Sequence, residues 1–226
     1  MHAVTEGPTM NVGSSVSPMR IGIDLDNTIV CYDEVFLLAA REQALLPDSY
    51  TGTKKQIRDM VRLRPDGELD WQKLQGQVYG RHMAHATMMD GVAEFLKCCR
   101  DGGIPVCIVS HKTEYGHYDP DGCNLRDAAL TWLEAQGFFL ASGFGLSPDD
   151  VFFESTRDEK IHKISSLACS HFIDDLVEVL THPGFPSETA AYLYAAGYES
   201  IPAGPFHASR SWPELTHAII NPAVCH

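Results

Sequence analysis

The sequence predicts an α/β fold: a mostly parallel sheet with helices on both faces and an all-helical segment inserted after the first strand. Three observations lead there. Short apolar runs of strand length alternate with helical stretches over most of the 226 residues, the order that builds a parallel sheet covered on both sides. The segment 32–87 breaks that alternation, because its patterns are helical throughout. Finally, three apolar runs end in an acid or a hydroxyl, at Asp24, Ser110 and Asp174. In open parallel sheets the ligand crevice lies at the carboxyl ends of the strands.

Ile21 to Asp24 reads as the first buried strand, followed by Asp26 and by Asn27 and Thr28 at a turn. If the strand continued, alternation would point Asp24 and Asp26 to one side. Two carboxylates so placed repel unless a cation or proton lies between them. An acidic turn capping the next helix is the plain alternative. Tyr32 to Leu46 is apolar-periodic and stops at Pro47-Asp48-Ser49. Helical stretches follow at 53–64 and 68–86, separated by Pro65-Asp66-Gly67, the second carrying Trp71, Leu74, Val78 and His82. Helix 92–101 opens after Asp90-Gly91 and closes on Gly102-Gly103. Ile104 to Val109 is the second strand, ending in Ser110-His111. A polar loop, 112–123, leads to a helix from Asn124 to Gln136 stopped by Gly137. Val151 to Phe153 is a third strand, and helix 159–168 leads to a fourth, His171 to Ile173, which ends in Asp174-Asp175. Ala190 to Tyr194 is a fifth strand, and Trp212 to Ile220 a closing helix with Pro213 near its start.

Composition bounds the function. Hydrophobic residues at 44% and charged residues at 21% are those of a soluble globular protein, and the length suits one core with a modest insertion. A net charge of −13 argues against a nucleic-acid partner, which calls for a basic surface. No stretch is long and apolar enough to span a bilayer. Seven cysteines without paired metal spacing, and no secretion signal, favour a reducing, cytoplasmic setting. Residues 1–18, rich in Gly, Ser, Thr and Pro, read as a disordered leader. The spacing of the eleven histidines gives no zinc motif. Oligomeric state is not legible.

The run Asp24-Leu25-Asp26-Asn27-Thr28 resembles the Asp-x-Asp-x-Thr signature of the haloacid dehalogenase (HAD) superfamily, most of whose members are magnesium-dependent phosphotransferases. Three further stations of that family follow in order. Ser110 matches the hydroxyl ending the second strand, Lys160 or Lys163 the lysine, and Asp174-Asp175 the acidic pair. Lys160 is preferred because it sits nearer the start of its helix. The resemblance implies a Rossmann-like core at 19–31 and 88–226 with a helical cap at 32–87. It also implies a phosphatase, since dehalogenases of the family lack an acid at the position of Asp26.

Under that resemblance the chemistry is concrete. Asp24 serves as nucleophile and forms an aspartyl-phosphate. Asp26 protonates the leaving oxygen and later activates water. Ser110 hydrogen-bonds a phosphoryl oxygen, and Lys160 offsets charge on the nucleophile. Asp24, the main chain of Asp26, Asp174 and Asp175 would hold Mg2+ through oxygen. The expected substrate is a small phosphorylated metabolite, such as a sugar phosphate or nucleotide. Phosphomutase or phosphotransferase activity, or non-catalytic binding of a phosphorylated ligand, are the alternatives. Thr28, His111 and Arg58 are the remaining substrate-facing candidates. Arg58 belongs to a cluster of Lys54, Lys55, Arg58, Arg62 and Arg64, in which 54, 58 and 62 share a helix face. Such a stripe either binds a second anionic group of the substrate or simply faces solvent.

Overall fold

The computed structural model of the chain describes residues 19–116, 118 and 122–220; the leader expected over 1–18 lies outside them. Six strands form one sheet in the order β5-β4-β1-β6-β7-β8. They are β1 (Ile21–Ile23), β4 (Val106–His111), β5 (Val151–Glu154), β6 (His171–Asp174), β7 (Ala190–Tyr194) and β8 (His207–Ser209). Every neighbouring pair is parallel. The strand carrying the first acids is therefore central, with the Ser110 strand on one side and the Asp174 strand on the other.

Strand alternation divides the interior in two. Val106 and Ile108 of β4, Ile21 and Ile23 of β1 and Ile173 of β6 pack on one side with helices α4 (Val92–Asp101), α5 (Leu125–Ala135) and α8 (Trp212–Ile219). Cys107, Val109 and Phe172 point the other way, onto α6 (Arg157–Ser166) and the short α7 (Val177–Leu180). This is the arrangement expected of strands that read as continuous apolar runs. Gly22 is the exception that proves the packing tight. A Cβ there would fall 2.5 Å from Cδ2 of Phe172 and 3.0 Å from Sγ of Cys169, so the Phe172 ring packs over β1 only because position 22 has no side chain.

The helical segment consists of α1 (Asp33–Glu42), α2 (Lys54–Arg62) and α3 (Gly67–Tyr79). In chain order it lies between β2 (Val30–Cys31) and β3 (Thr87–Met88), which pair antiparallel with each other. Thr53 caps α2 with a full capping box through Gln56, and Thr156 does the same for α6 through Glu159. That cap starts α6 at Arg157, two residues before the sequence suggests, because Thr-x-x-Glu satisfies the first free N–H groups. Two helices are shorter than expected. The first ends at Glu42, and Ala44 then turns left-handed at φ 52°. The third ends at Tyr79 with Gly80 as its cap, and a single 3-10 turn at Met83–His85 follows. The elements β2, β3, β8 and α7 are too short to leave a periodic signal.

Candidate active site

β1 stops at Ile23, one residue short of Asp24, so the two acids are not set by simple strand alternation. The backbone N–H of Asp24 still donates to Ile173 O at 2.9 Å, which holds it beside β6. The chain then turns tightly: Ile29 and Val30 N–H both donate to Leu25 O, at 3.0 and 2.9 Å. Asn27 adopts φ 63°, a left-handed conformation that asparagine tolerates better than most residues. The Trp212 indole N–H donates to Thr28 O at 3.1 Å, pinning the turn from α8.

The acids are gathered around one lysine. Lys160, 1% exposed, donates from Nζ to Asp24 Oδ1 at 2.5 Å and to Asp174 Oδ2 at 2.6 Å. Lys163, one turn along, instead meets Glu154 Oε1 at 3.4 Å and the Phe152 ring. Topology makes the choice: α6 starts beside the strand tips, and its first-turn residues alone reach them. Thr28 is fully buried and its hydroxyl contacts Asp24 Oδ2 at 3.3 Å, so it orients the carboxylate. Asp174 Oδ1 accepts the N–H of Leu176 at 2.8 Å.

Charge in this cluster is strongly perturbed. Burial is the largest influence on Asp24, and with the Asp174 and Asp26 charges it outweighs Lys160 and pushes the carboxyl up to about 7. Burial and the charges of Asp174 and Asp24 push Asp175 well above the carboxylate range. Burial works against the Lys160 ammonium, but Asp174 and Asp24 overcome it and raise its value. Asp24, Asp174 and Asp175 each offer an oxygen, all within 4.8 Å of one another. Three crowded carboxylates, two of them reluctant to ionise, call for a cation. Oxygen donors without thiol or imidazole suit a hard divalent ion such as magnesium.

Asp26 stands apart from that cluster. Its side chain is not among the three clustered carboxylates. Lys112 Nζ contacts its Oδ2 at 2.9 Å, and the Tyr32 hydroxyl donates to its Oδ1 at 2.5 Å. Burial acts to raise Asp26, but Lys112, Tyr32 and Lys54 together hold it below its ordinary value. Lys112, 3% exposed, was not singled out from sequence, although a signal existed. It lies two residues beyond Ser110, on the same side by strand alternation. Tyr32 was read only as the start of a helix.

Ser110 is 1% exposed, and its hydroxyl has no hydrogen-bond partner. A buried hydroxyl left so costs roughly 1–3 kcal/mol, which points to a polar ligand. His111 faces elsewhere: its Nε2 meets Ser155 O at 3.0 Å in an exposed position. Of the 112–123 loop, Tyr115 and Tyr118 are exposed, while His117 lies outside the described residues. The expectation for Arg58 needs correction. Its guanidinium pairs with Asp59 at 3.0 Å on the outer surface of α2. The cation of that stripe that reaches the turn carrying the acids is Lys54, which donates to Asn27 Oδ1 at 2.8 Å and to the Tyr79 hydroxyl at 2.7 Å. It sits at the first position of α2, the end turned toward the strand tips.

No family model matches the chain, and no curated protein matches it. Solved structures do. The HAD-hydrolase YfnB from Bacillus subtilis, bound to magnesium, is 14% identical with a TM-score of 0.59, covering 90% of this chain and 99% of that one. A HAD family hydrolase from Deinococcus radiodurans with bound phosphate and sodium is 16% identical with a TM-score of 0.56, covering 92% and 97%. Protein Tyrosine Kinase A from Mycobacterium tuberculosis is 12% identical with a TM-score of 0.59, covering 91% and 100%. A kinase among such neighbours means that the shared architecture does not by itself name the reaction. At these identities the likeness is one of fold: the chain has the fold of the HAD-superfamily hydrolases.

Proposed function

We propose that the protein hydrolyses a small phosphomonoester through an aspartyl-phosphate on Asp24. The observation that carries this is the buried bridge of Lys160 between Asp24 and Asp174, at the carboxyl ends of adjacent parallel strands. Phosphoryl transfer needs an in-line nucleophile, neutralisation of the equatorial oxygens and a proton donor for the leaving oxygen. Asp24 is the carboxylate positioned to attack, its two oxygens steered by Lys160 and Thr28. The partnerless Ser110 hydroxyl supplies a donor to a phosphoryl oxygen.

In the first step an oxygen of Asp24 bonds to phosphorus as the ester P–O bond breaks, and the departing alkoxide takes a proton from Asp26. In the second, water attacks phosphorus, its proton goes to Asp26, and phosphate leaves Asp24. Asp26 begins and ends the cycle protonated. Lys112 and Tyr32 favour its carboxylate. An incoming phosphoryl dianion pushes the other way, since a like charge nearby favours the neutral acid. Each Asp26 oxygen also keeps a lone pair for the leaving group or the water. Asp24, the main chain of Asp26, Asp174 and Asp175 would hold magnesium, which would supply charge neutralisation for the phosphoryl group.

The test is phosphate release from a panel of sugar phosphates, nucleotides and phosphorylated acids, with magnesium and after chelation. Release should require magnesium and vanish in Asp24→Asn, whose amide cannot attack phosphorus. Asp26→Asn should slow turnover by roughly 10²–10⁴-fold. Substantial release by Asp24→Asn, or rates untouched by exhaustive chelation, would overturn the reading.

A further inference from the structure

Three lysines converge on the crevice, and two have carboxylate partners. Lys160 has Asp24 and Asp174, and Lys112 has Asp26. Lys54 has only neutral acceptors, the Asn27 side-chain carbonyl and the Tyr79 hydroxyl. Among the described residues no carboxylate forms an ion pair with it. That is unusual in a chain of net charge −13, where acids are in surplus. The ammonium is half-buried among three rings, whose faces attract a cation without neutralising it. Its nitrogen lies 5.7 Å from the centroid of Tyr32, 5.3 Å from Phe36 and 5.2 Å from Tyr79.

The placement is fixed at its root. The backbone N–H of Lys54 donates to Asp33 Oδ1 at 2.7 Å, and Thr53 caps the helix one residue before. An ammonium has three donors, and two are engaged. Asn27 directly follows Asp26, and both Asp26 and Asp175 act on the Lys54 charge from beyond contact distance. The ammonium therefore lies beside the turn that carries Asp26, near enough to Asp26 and Asp175 to feel both charges. Tyr79 carries a second cation: Lys112 Nζ lies 4.8 Å from its ring centroid. Two ammonium groups thus flank one aromatic side chain, and one of them lacks a counter-ion.

We propose that Lys54, supported by Tyr79, receives a second anionic group on the same small molecule whose phosphoryl group meets Asp24. The substrate class is then a phosphomonoester that also carries a carboxylate or a further phosphate close to the ester. This rests on the Asp24 reading above. A second anion supplies the partner that the fold withholds from Lys54, and a charge-assisted hydrogen bond there discriminates roughly 10- to 100-fold against a neutral group. The competing role is bracing of the left-handed Asn27 turn alone. That role would make removal of the ammonium weaken all ligands alike.

Non-hydrolysable phosphonates separate the two roles. Phosphonopropionate ends in a carboxylate and hydroxypropylphosphonate in a hydroxyl, and neither has an ester bond to break. Calorimetric titration of the full chain with magnesium should show phosphonopropionate binding roughly 10- to 100-fold tighter. Lys54→Met should erase that preference by weakening phosphonopropionate far more than hydroxypropylphosphonate, and Lys54→Arg should keep most of it. The wild-type preference is read without any variant, so a poorly folding Lys54→Met does not remove the test. Equal affinities in the wild type, no binding of either compound, or equal losses for both in a folded Lys54→Met would overturn the proposal. Phosphate release from the matched esters, phosphoglycolate and hydroxyethyl phosphate, is scored separately. A binding preference without release would refute hydrolysis at Asp24 and leave the anion site standing.

Discussion

Helices α6 and α2 both present cations that look interchangeable in the sequence, and their fates differ. On α6, Lys160 is buried between two carboxylates while Lys163 contacts partly exposed Glu154. On α2, Lys54 reaches the Asn27 turn while Lys55, Arg58 and Arg62 pair with Asp59 and Glu68 on the surface. In each helix the functional cation lies in the first turn, and those beyond it are spent on local ion pairs. Both helices begin with a capping box and point their N-terminal ends at the strand tips. Lys55, also in the first turn of α2, pairs with Asp59 on the surface, so the helix end and the face together select which cation enters the site.

The sharpest way to break that comparison is to remove one lysine from each position. Lys160→Met leaves Asp24 and Asp174 without their cation, a loss of about 3–5 kcal/mol for a broken buried pair, and turnover should fall roughly 10³-fold or more. Lys163→Met should cost no more than ~1 kcal/mol, as exposed pairs do. Chemical denaturation and phosphate-release kinetics check both, and similar effects at the two positions would refute the assignment. Gly22→Ala comes next. The added Cβ meets Phe172, so overpacking of about 1–3 kcal/mol is expected. Separation of β1 from β6 should also misplace Asp24 against Asp174 by enough to slow turnover roughly 10²-fold.

Metal binding supplies a third, smaller test through pH. Asp24 has a folded value near 7 against an ordinary 3.8, so between those values and without metal the folded chain holds a proton that the unfolded chain has released. That contribution to stability is fully present below 3.8 and is lost as pH rises through about 7. Metal reverses the dependence, because it needs the carboxylate. The magnesium-induced rise in melting temperature should therefore shrink as pH falls from about 7 to about 5, with apparent affinity dropping up to ~tenfold per pH unit for each proton displaced. A magnesium effect independent of pH over that window would contradict the cluster as its site. The smallest effect is expected for Arg58→Ala: stability within ~0.5 kcal/mol of wild type and an unchanged KM on the best substrate.

Much of this centre was legible in the sequence because each strand carries its own signal. An apolar run ending in acid or hydroxyl states both the element and the side chain at its tip, which places Asp24, Ser110 and Asp174 together once the sheet is parallel. Lys160 followed from its place near a helix start. The rest depends on contacts between segments far apart in the chain. Lys112 meets Asp26 only because β4 lies beside β1, and Tyr32 meets Asp26 only because the chain folds back at Leu25. The role of Arg58 stays open in the sequence because helical periodicity identifies a face without saying what it faces. The short β2 and β3 were missed since two residues hold no period, although they stand where the helical segment leaves and rejoins the core.

The most direct test of Asp24 as the phosphoryl acceptor is acid-quenched mass spectrometry of the protein during turnover. With magnesium and a hydrolysed substrate, a phosphoryl group should be found on the peptide containing Asp24, and it should be absent from the Asp24→Asn protein. Steady phosphate release by Asp24→Asn, with no phosphoryl group on that peptide in the wild type, would contradict the mechanism.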